Sequence, residues 1–293
     1  MESSRENYKG NVNTTLLEWK AAFLREQILK TALQAGKGHV APALSWVEIA
    51  VTLFYGGHLN FRANEPRWEE RDRFILSKGH GCLTLYATLA DLGFIPISEL
   101  STFVKDGSRL AGHPDPDIPG VEVLSGSLGH GLGVGAGYCF GARLDQANWK
   151  TFVLLGDGEC QEGSIWEAAA FASHHRLKNL IAIVDRNRLG ATDFTEGVLQ
   201  LEPLADRWKA FGWEVCTVDG HSFRELAKAF TSFRLEQHDR PVVILANTTK
   251  GKGLDFMEGA PAWHHRLPTG SQADNALEFL HNQEQQLVQL IQR

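Results

Sequence analysis

The chain has little cysteine, and what it has is scattered: Cys82, Cys139, Cys160 and Cys216, four in 293 residues, with no C-x-x-C pair. That excludes a zinc ribbon or a disulfide framework. Reduced thiols imply a cytoplasmic setting. Basic residues are not in excess: 29 Lys and Arg stand against 35 Asp and Glu, for a net charge of −6. A nucleic-acid surface is therefore not indicated. No apolar run approaches the roughly 20 residues that a membrane span needs. The first eight residues, Met1 to Tyr8, lack the apolar core of a signal peptide. There is no heptad repeat, and no Pro- or Ser-rich linker divides the chain.

What is present is a hydrophobic fraction of 43%, enough for a sizeable core. Residues 1–13 are polar and expected to fray. Leu17, Ala21, Leu24, Ile28 and Ala32 follow helical spacing over Thr14–Ala35. A second helix is expected over Ala43–Tyr55. Five continuous apolar runs read as strands: Arg73–Ser77, Thr151–Leu155, Leu180–Asp185, Trp213–Val218 and Val242–Ala246. Continuity, rather than alternation, predicts burial on both faces of a parallel sheet. Ser164-x-x-Glu167 and Ser222-x-x-Glu225 have the form of capping boxes at the starts of intervening helices. Residues 273–293 read as a C-terminal helix that docks on the domain or on a partner. The expected architecture is one α/β domain over residues 1–293, a three-layer α/β/α sandwich around a mostly parallel sheet.

Two strand ends carry chemistry. Gly156-Asp157-Gly158 closes one apolar run, and Asn187 follows another, thirty residues after Asp157. A carboxylate and an amide oxygen at the ends of neighbouring strands can hold a hard divalent cation, Mg²⁺ or Ca²⁺, against a diphosphate. A backbone carbonyl near Leu189 is a further oxygen. A glycine-rich stretch, Ser125 to Gly137, runs into an expected helix over about residues 129–145 at a cost in helix propensity. Either a ligand or a neighbouring helix must approach that backbone closely. Among twelve histidines, five positions lie in Gly- or Pro-bearing loops: His39, His80, His113, His130 and the pair His264-His265. Imidazoles can bond sugar hydroxyls and move protons near neutral pH. His174 and His175 end a helix and suit its dipole.

In order along the chain, Gly38-His39, Asp72-Arg-Phe-Ile-Leu-Ser-Lys-Gly-His80, Gly112-His113-Pro114, Gly126-Ser-Leu-Gly-His-Gly131, Gly156-Asp-Gly-Glu-Cys-Gln-Glu-Gly163, Asp185-Arg-Asn187 and Thr248-Thr-Lys-Gly-Lys-Gly253 through His264 resemble the N-terminal, diphosphate-binding half of transketolase. The resemblance runs from about Leu24 to Pro268 and implies the thiamine diphosphate-binding fold. It also implies roles. Asp157, Asn187 and the carbonyl of Leu189 would bind the metal. Gly126, Ser127, Leu128, Gly156, Asp157, Gly158, Glu159, Asn187, His80 and His264 would bind thiamine diphosphate. His39, His80, His113 and His264 would face the sugar, with His264 preferred to His265 as the group that helps remove the donor's hydroxyl proton. Glu162 would lie near a subunit interface. The chain stops where the family's pyrimidine-binding domain would begin, so a partner chain and an α2β2 assembly are expected. The implied activity is transfer of a two-carbon ketol unit from a ketose or its phosphate to an aldose. The alternatives are a related two-carbon transfer in a specialised pathway and a non-catalytic regulatory subunit. The basic run around Asn187, Arg186 to Arg188, has no counterpart in this reading.

Overall fold

Apolar runs without alternation need cover on both faces, and a β-α-β path gives that cover with parallel pairing. The computed structural model describes residues 13–235 and 238–292. The helices are α1 (Thr14–Ala35), α2 (Val40–Leu44), α3 (Val47–Tyr55), α4 (Cys82–Asp91), α5 (Gly131–Leu144), α6 (Gly163–His174), α7 (Thr195–Val198), α8 (Leu204–Ala210), α9 (Phe223–Leu235) and α10 (Ser271–Ile291). The strands are β1 (Arg73–Leu76), β2 (Thr151–Gly156), β3 (Leu180–Arg186), β4 (Glu214–Asp219) and β5 (Val242–Asn247). They form one sheet in the order β1-β2-β3-β5-β4, and every neighbouring pair is parallel.

Successive strand side chains point to opposite faces, and this builds two cores. Phe152, Leu154, Ile181, Ile183 and Ile244 pack with Leu24 and Ile28 of α1, Ile49 of α3, Leu85 of α4 and Phe230 of α9. Val153, Leu155, Ala182, Val184, Val243 and Leu245 pack with Leu132 of α5, Ile165 of α6 and Trp208 of α8. Each large side chain so buried contributes about 1.5–3 kcal/mol. The three-layer α/β/α expectation is met.

The structure corrects five local expectations. The fraying forecast for residues 1–12 lies outside the described residues, but Asn13 is ordered as the N-cap of α1, its side chain accepting the Leu16 N–H at 3.2 Å. The helix expected over Ala43–Tyr55 is two helices, broken at Ser45 and Trp46, because the Ser45 hydroxyl turns back to the Pro42 carbonyl and to Asp185. β4 is an edge strand and largely exposed, so it is not buried on both faces. Ser164 lies inside α6, whose N-cap is Glu162, and its hydroxyl bonds the Gly129 carbonyl. Ser222 does accept the Glu225 N–H at 3.3 Å, but Glu225 reaches Asp219 N–H instead of closing a capping box.

The C-terminal helix docks on this domain. Its Ala276 and Leu280 enter the core beside α1, and Trp19 Nε1 donates to Glu284 at 2.7 Å. His174 ends α6 as expected. All four cysteines are free.

Candidate active site at the carboxyl ends of the strands

The exits of β1, β2, β3 and β5 open at one end of the sheet, the end where parallel sheets place ligands. Asp157 follows β2 directly and is 3% exposed. Its donors among the described residues are two backbone groups, Gly158 N–H at 2.8 Å and Arg188 N–H. The second bond joins the exits of β2 and β3, so Asp157 adjoins the Asn187–Leu189 segment. Arg188 takes a left-handed backbone, φ +63°, to make it. The Asn187 side-chain oxygen accepts from Leu189 N–H at 3.1 Å. Burial and the neighbouring Asp185 carboxylate push Asp157 up to about 7. A buried carboxylate with backbone donors alone, beside an amide oxygen, is a donor set that suits a hard cation. An added Cβ at Gly156 or Gly158 would meet its nearest protein atoms at 3.8 and 3.7 Å. Packing inside the chain therefore accounts for neither glycine.

Glu159, assigned to the cofactor by resemblance, behaves differently. It is 2% exposed, and its carboxylate accepts from Gly129 N–H at 2.9 Å, Gly156 N–H at 3.0 Å and the Ser77 hydroxyl. It ties together the exits of β1 and β2 and the loop before α5. The Gly126-Ser127-Leu128 loop runs past His113: Ser125 N–H bonds the Pro114 carbonyl, and a Cβ on Gly126 would lie 3.2 Å from the His113 ring. The Ser125 hydroxyl beside it is buried with no hydrogen-bond partner among the described residues. Further along, Gly131 and Gly135 let α5 lie against the sheet. A Cβ there would come within 2.4 Å of the Ser77 hydroxyl and 2.5 Å of Val153. The glycine richness is thus divided between a closely packed loop and a helix–sheet contact.

Four loops bring the histidines together. His39 precedes α2, His80 sits in the turn after β1, His113 lies in the loop before α5, and His264 follows the turn Pro261–Trp263. The His39 ring centroid is 5.7 Å from His80, 6.5 Å from His113 and 5.4 Å from His264, and His80 lies 5.4 Å from His264. All four expected members are present. His265 joins them, 4.6 Å from His39 and 4.5 Å from His264. His264 is buried and His265 exposed. His130 turns to the Leu128 carbonyl instead. Glu162 is exposed at the start of α6 and belongs to neither group.

Burial first, then the competing rings of His265 and His113 for His39 and the Lys250 ammonium for His264, hold His39 at about 4 and His264 at about 3. His80 is lowered well below its usual value for reasons of the same kind, and burial lowers His113. These four rings are therefore neutral at pH 7, able to donate and accept hydrogen bonds. Lys250 Nζ lies 2.6 Å from His264 Nδ1 and 2.6 Å from the Gly190 carbonyl. Burial, then Lys78, lowers Lys250 to about 8, which leaves most of it charged at pH 7. A charged ammonium donates to Nδ1 and leaves the ring proton on Nε2. In that state His264 offers a donor at Nε2; it can accept a proton there after its tautomer changes.

Sequence reading missed the charged centre beneath the cluster. Lys78 and Asp185 form an ion pair with both side chains almost fully buried. Asp185 also accepts from the hydroxyls of Ser45 and Thr248. Burial alone would raise its pKa, and Lys78 with these hydroxyls more than offsets that, holding it below the ordinary value. The available signal was modest: a lysine one residue past a strand in Ser77-Lys78-Gly79, and an aspartate closing an otherwise apolar run.

Comparison with known proteins matches this geometry. The family described as "Transketolase, thiamine diphosphate binding domain" covers residues 21–272. An apulose-4-phosphate transketolase subunit of Phocaeicola vulgatus is 41% identical over 261 residues, spanning 89% of this chain and 92% of the relative. The 6-deoxy-6-sulfo-D-fructose transketolase subunit SqwG of a Clostridium species is 39% identical over 250 residues, with 85% and 90% coverage. The crystal structure of transketolase from Campylobacter jejuni superposes with a TM-score of 0.82 at 27% identity, over 97% of this chain and 49% of that one. The chain thus spans about half the length of that solved enzyme and nearly all of the two separate subunits, and it belongs to the transketolase family, matching its thiamine diphosphate-binding domain.

Proposed function

We propose that this chain supplies the diphosphate-binding half of a two-carbon ketol transfer site, completed by a separate subunit with a pyrimidine-binding domain. The observation that carries the reading is the neutral cluster of His39, His80, His113 and His264 at the strand ends that also hold Asp157 and Asn187. Thiamine diphosphate, when bound, supplies the electron sink for breaking and forming the carbon–carbon bond. Asp157, Asn187 and the Leu189 carbonyl would hold a hard cation, Mg²⁺ or Ca²⁺, which would offset the charge of the diphosphate. Gly156, Gly158 and the Gly126–Leu128 loop would leave room for the cofactor backbone. The imidazoles would bond the ketose hydroxyls. An Nε2 donor on His264 would stabilise developing alkoxide charge, an effect that a site sheltered from water makes large.

The relatives' names point to phosphorylated or sulfonated sugars, and a polyhydroxylated ketose or its phosphate is the donor class proposed here, with an aldose as acceptor. Glu162 would lie at a subunit contact, the assembly would be α2β2, and the setting cytoplasmic, as free cysteines favour. No helix among the described residues is long and apolar enough to cross a membrane. A regulatory subunit without chemistry has no need of this histidine cluster, and no observation favours that reading.

Co-expression with a pyrimidine-domain partner, addition of thiamine diphosphate and Mg²⁺, and an assay of ketose cleavage test the proposal. Activity in the mixture, absent from either chain alone, supports it. A stable complex that turns over no free or phosphorylated ketose refutes it.

A further inference from the structure

The loop carrying Lys250 is held by a largely buried polar chain that the proposed chemistry does not use. His221 follows β4, and its Nε2 accepts from Thr249 N–H at 2.7 Å. In the neutral ring the proton is then on Nδ1, which lies 3.0 Å from Glu48 Oε2. The other Glu48 oxygen accepts from Arg25, whose Nε donates to the Lys252 carbonyl at 3.0 Å. His221 and Arg25 therefore grip the loop on both sides of Lys250, and Glu48 of α3 joins them. Gly253, at φ +96°, lies so close that an added Cβ would be 2.8 Å from Arg25 Cδ. Backbone bonds from Gly251 N–H to the Ala41 carbonyl and from Gly259 N–H to the Lys250 carbonyl complete the hold. Arg25 and Glu48 are 7% and 6% exposed, and His221 and Thr249 are part-buried.

We infer that His221 is a positioning residue for the cleft: bridging Glu48 and Thr249, it fixes the loop that sets the Lys250 ammonium on Nδ1 of His264, and through it the ring proton on Nε2. Its importance for turnover rests on the two-carbon-transfer reading above; the geometry of the relay does not. A surface histidine at this position would leave Lys250 and His264 untouched when replaced. A positioning residue would not. Partners that orient a functional group from behind typically cost about 10–100-fold in activity or affinity when removed.

The test is long-range ¹H–¹⁵N correlation of histidine-labelled full chain. Wild type should show His264 in one form, Nδ1 accepting and Nε2 protonated. Lys250→Met should change that signature directly. His221→Ala should reproduce the change, and His221→Gln should restore the wild-type signature, because its amide offers an acceptor to Thr249 and a donor to Glu48. Should His221→Ala fail to fold, His221→Asn, polar but too short to reach both partners, is expected to give the same loss. In the reconstituted complex these two variants should lower kcat at least about tenfold, with KM for ketose little changed. An unchanged His264 signature, or wild-type kcat in an active complex, overturns the assignment. The spectra are read on the chain itself, so an inactive wild-type complex would refute the proposed function and leave the positioning role to be decided by them.

Discussion

Asp157→Asn should make the metal-free chain more stable at pH 8. Asp157 is 3% exposed, and two backbone N–H groups are its donors among the described residues. Burial and Asp185 push its pKa up to about 7 from an ordinary 3.8. A pKa raised on folding means that the folded chain holds the proton more tightly than the unfolded chain. The stability from this group is therefore full below pH 4, declines as pH rises toward 7 and is gone above it. At 1.36 kcal/mol per pH unit, the charged carboxylate withholds roughly 4 kcal/mol at pH 8. An asparagine removes that charge but turns an NH₂ toward one backbone donor, at a cost of about 1–3 kcal/mol. The net gain is on the order of 1–3 kcal/mol. Urea denaturation at pH 5 and pH 8, with divalent ions chelated, reads the difference. At pH 5 the wild-type carboxyl is largely protonated and the advantage should vanish or reverse. Mg²⁺ with thiamine diphosphate should stabilise wild type, by about 2.7 kcal/mol at a hundredfold excess over Kd, and should not stabilise the variant. A variant less stable than wild type at pH 8 without metal would refute the reasoning.

Asp185→Asn leaves Lys78 buried without its partner and should destabilise the chain by about 3–5 kcal/mol, read as a lower urea midpoint; a loss under 1 kcal/mol would show that the pair is not isolated from water. Gly135→Ala drives a methyl into Val153, which is 2.5 Å from an ideal Cβ, whereas Gly137 has nothing within 4 Å. The first should cost about 1–3 kcal/mol and the second gain about 0.5–1 kcal/mol from helix propensity in the isolated chain, by the same measurement. Depressed pKa values of about 4 for His39 and 3 for His264 mean that the folded state prefers both rings neutral. Stability from these two is full above pH 6.5 and lost as pH falls toward 4, and NMR titration should show neither ring charging above pH 5.

The strand runs and their order of chemistry were legible in the sequence. Continuous apolar segments such as Phe152–Leu155 and Ile181–Val184 have few alternatives to burial on both faces, and each runs into polar or glycine residues at the carboxyl end of its strand. Asp157, Asn187 and the loop histidines were therefore visible as candidates, because residue type and strand end determine which atoms can face a ligand. Glu159 shows the limit: beside Asp157 in sequence it looks equally available, yet its place in the turn aims it at Ser77, Gly129 and Gly156. The break at Ser45 likewise depends on Asp185, 140 residues away. Which histidine is buried, which lysine touches it, and that Arg25, Glu48, His221 and Thr249 form one chain were decided by tertiary structure alone. Those contacts join α1, α3 and the exits of β4 and β5, and hydrogen bonds that short-range pattern cannot encode arise when packing brings distant segments within about 3 Å. Local sequence determined the elements and the atoms they could offer; the packing of the layers decided which of those atoms meet.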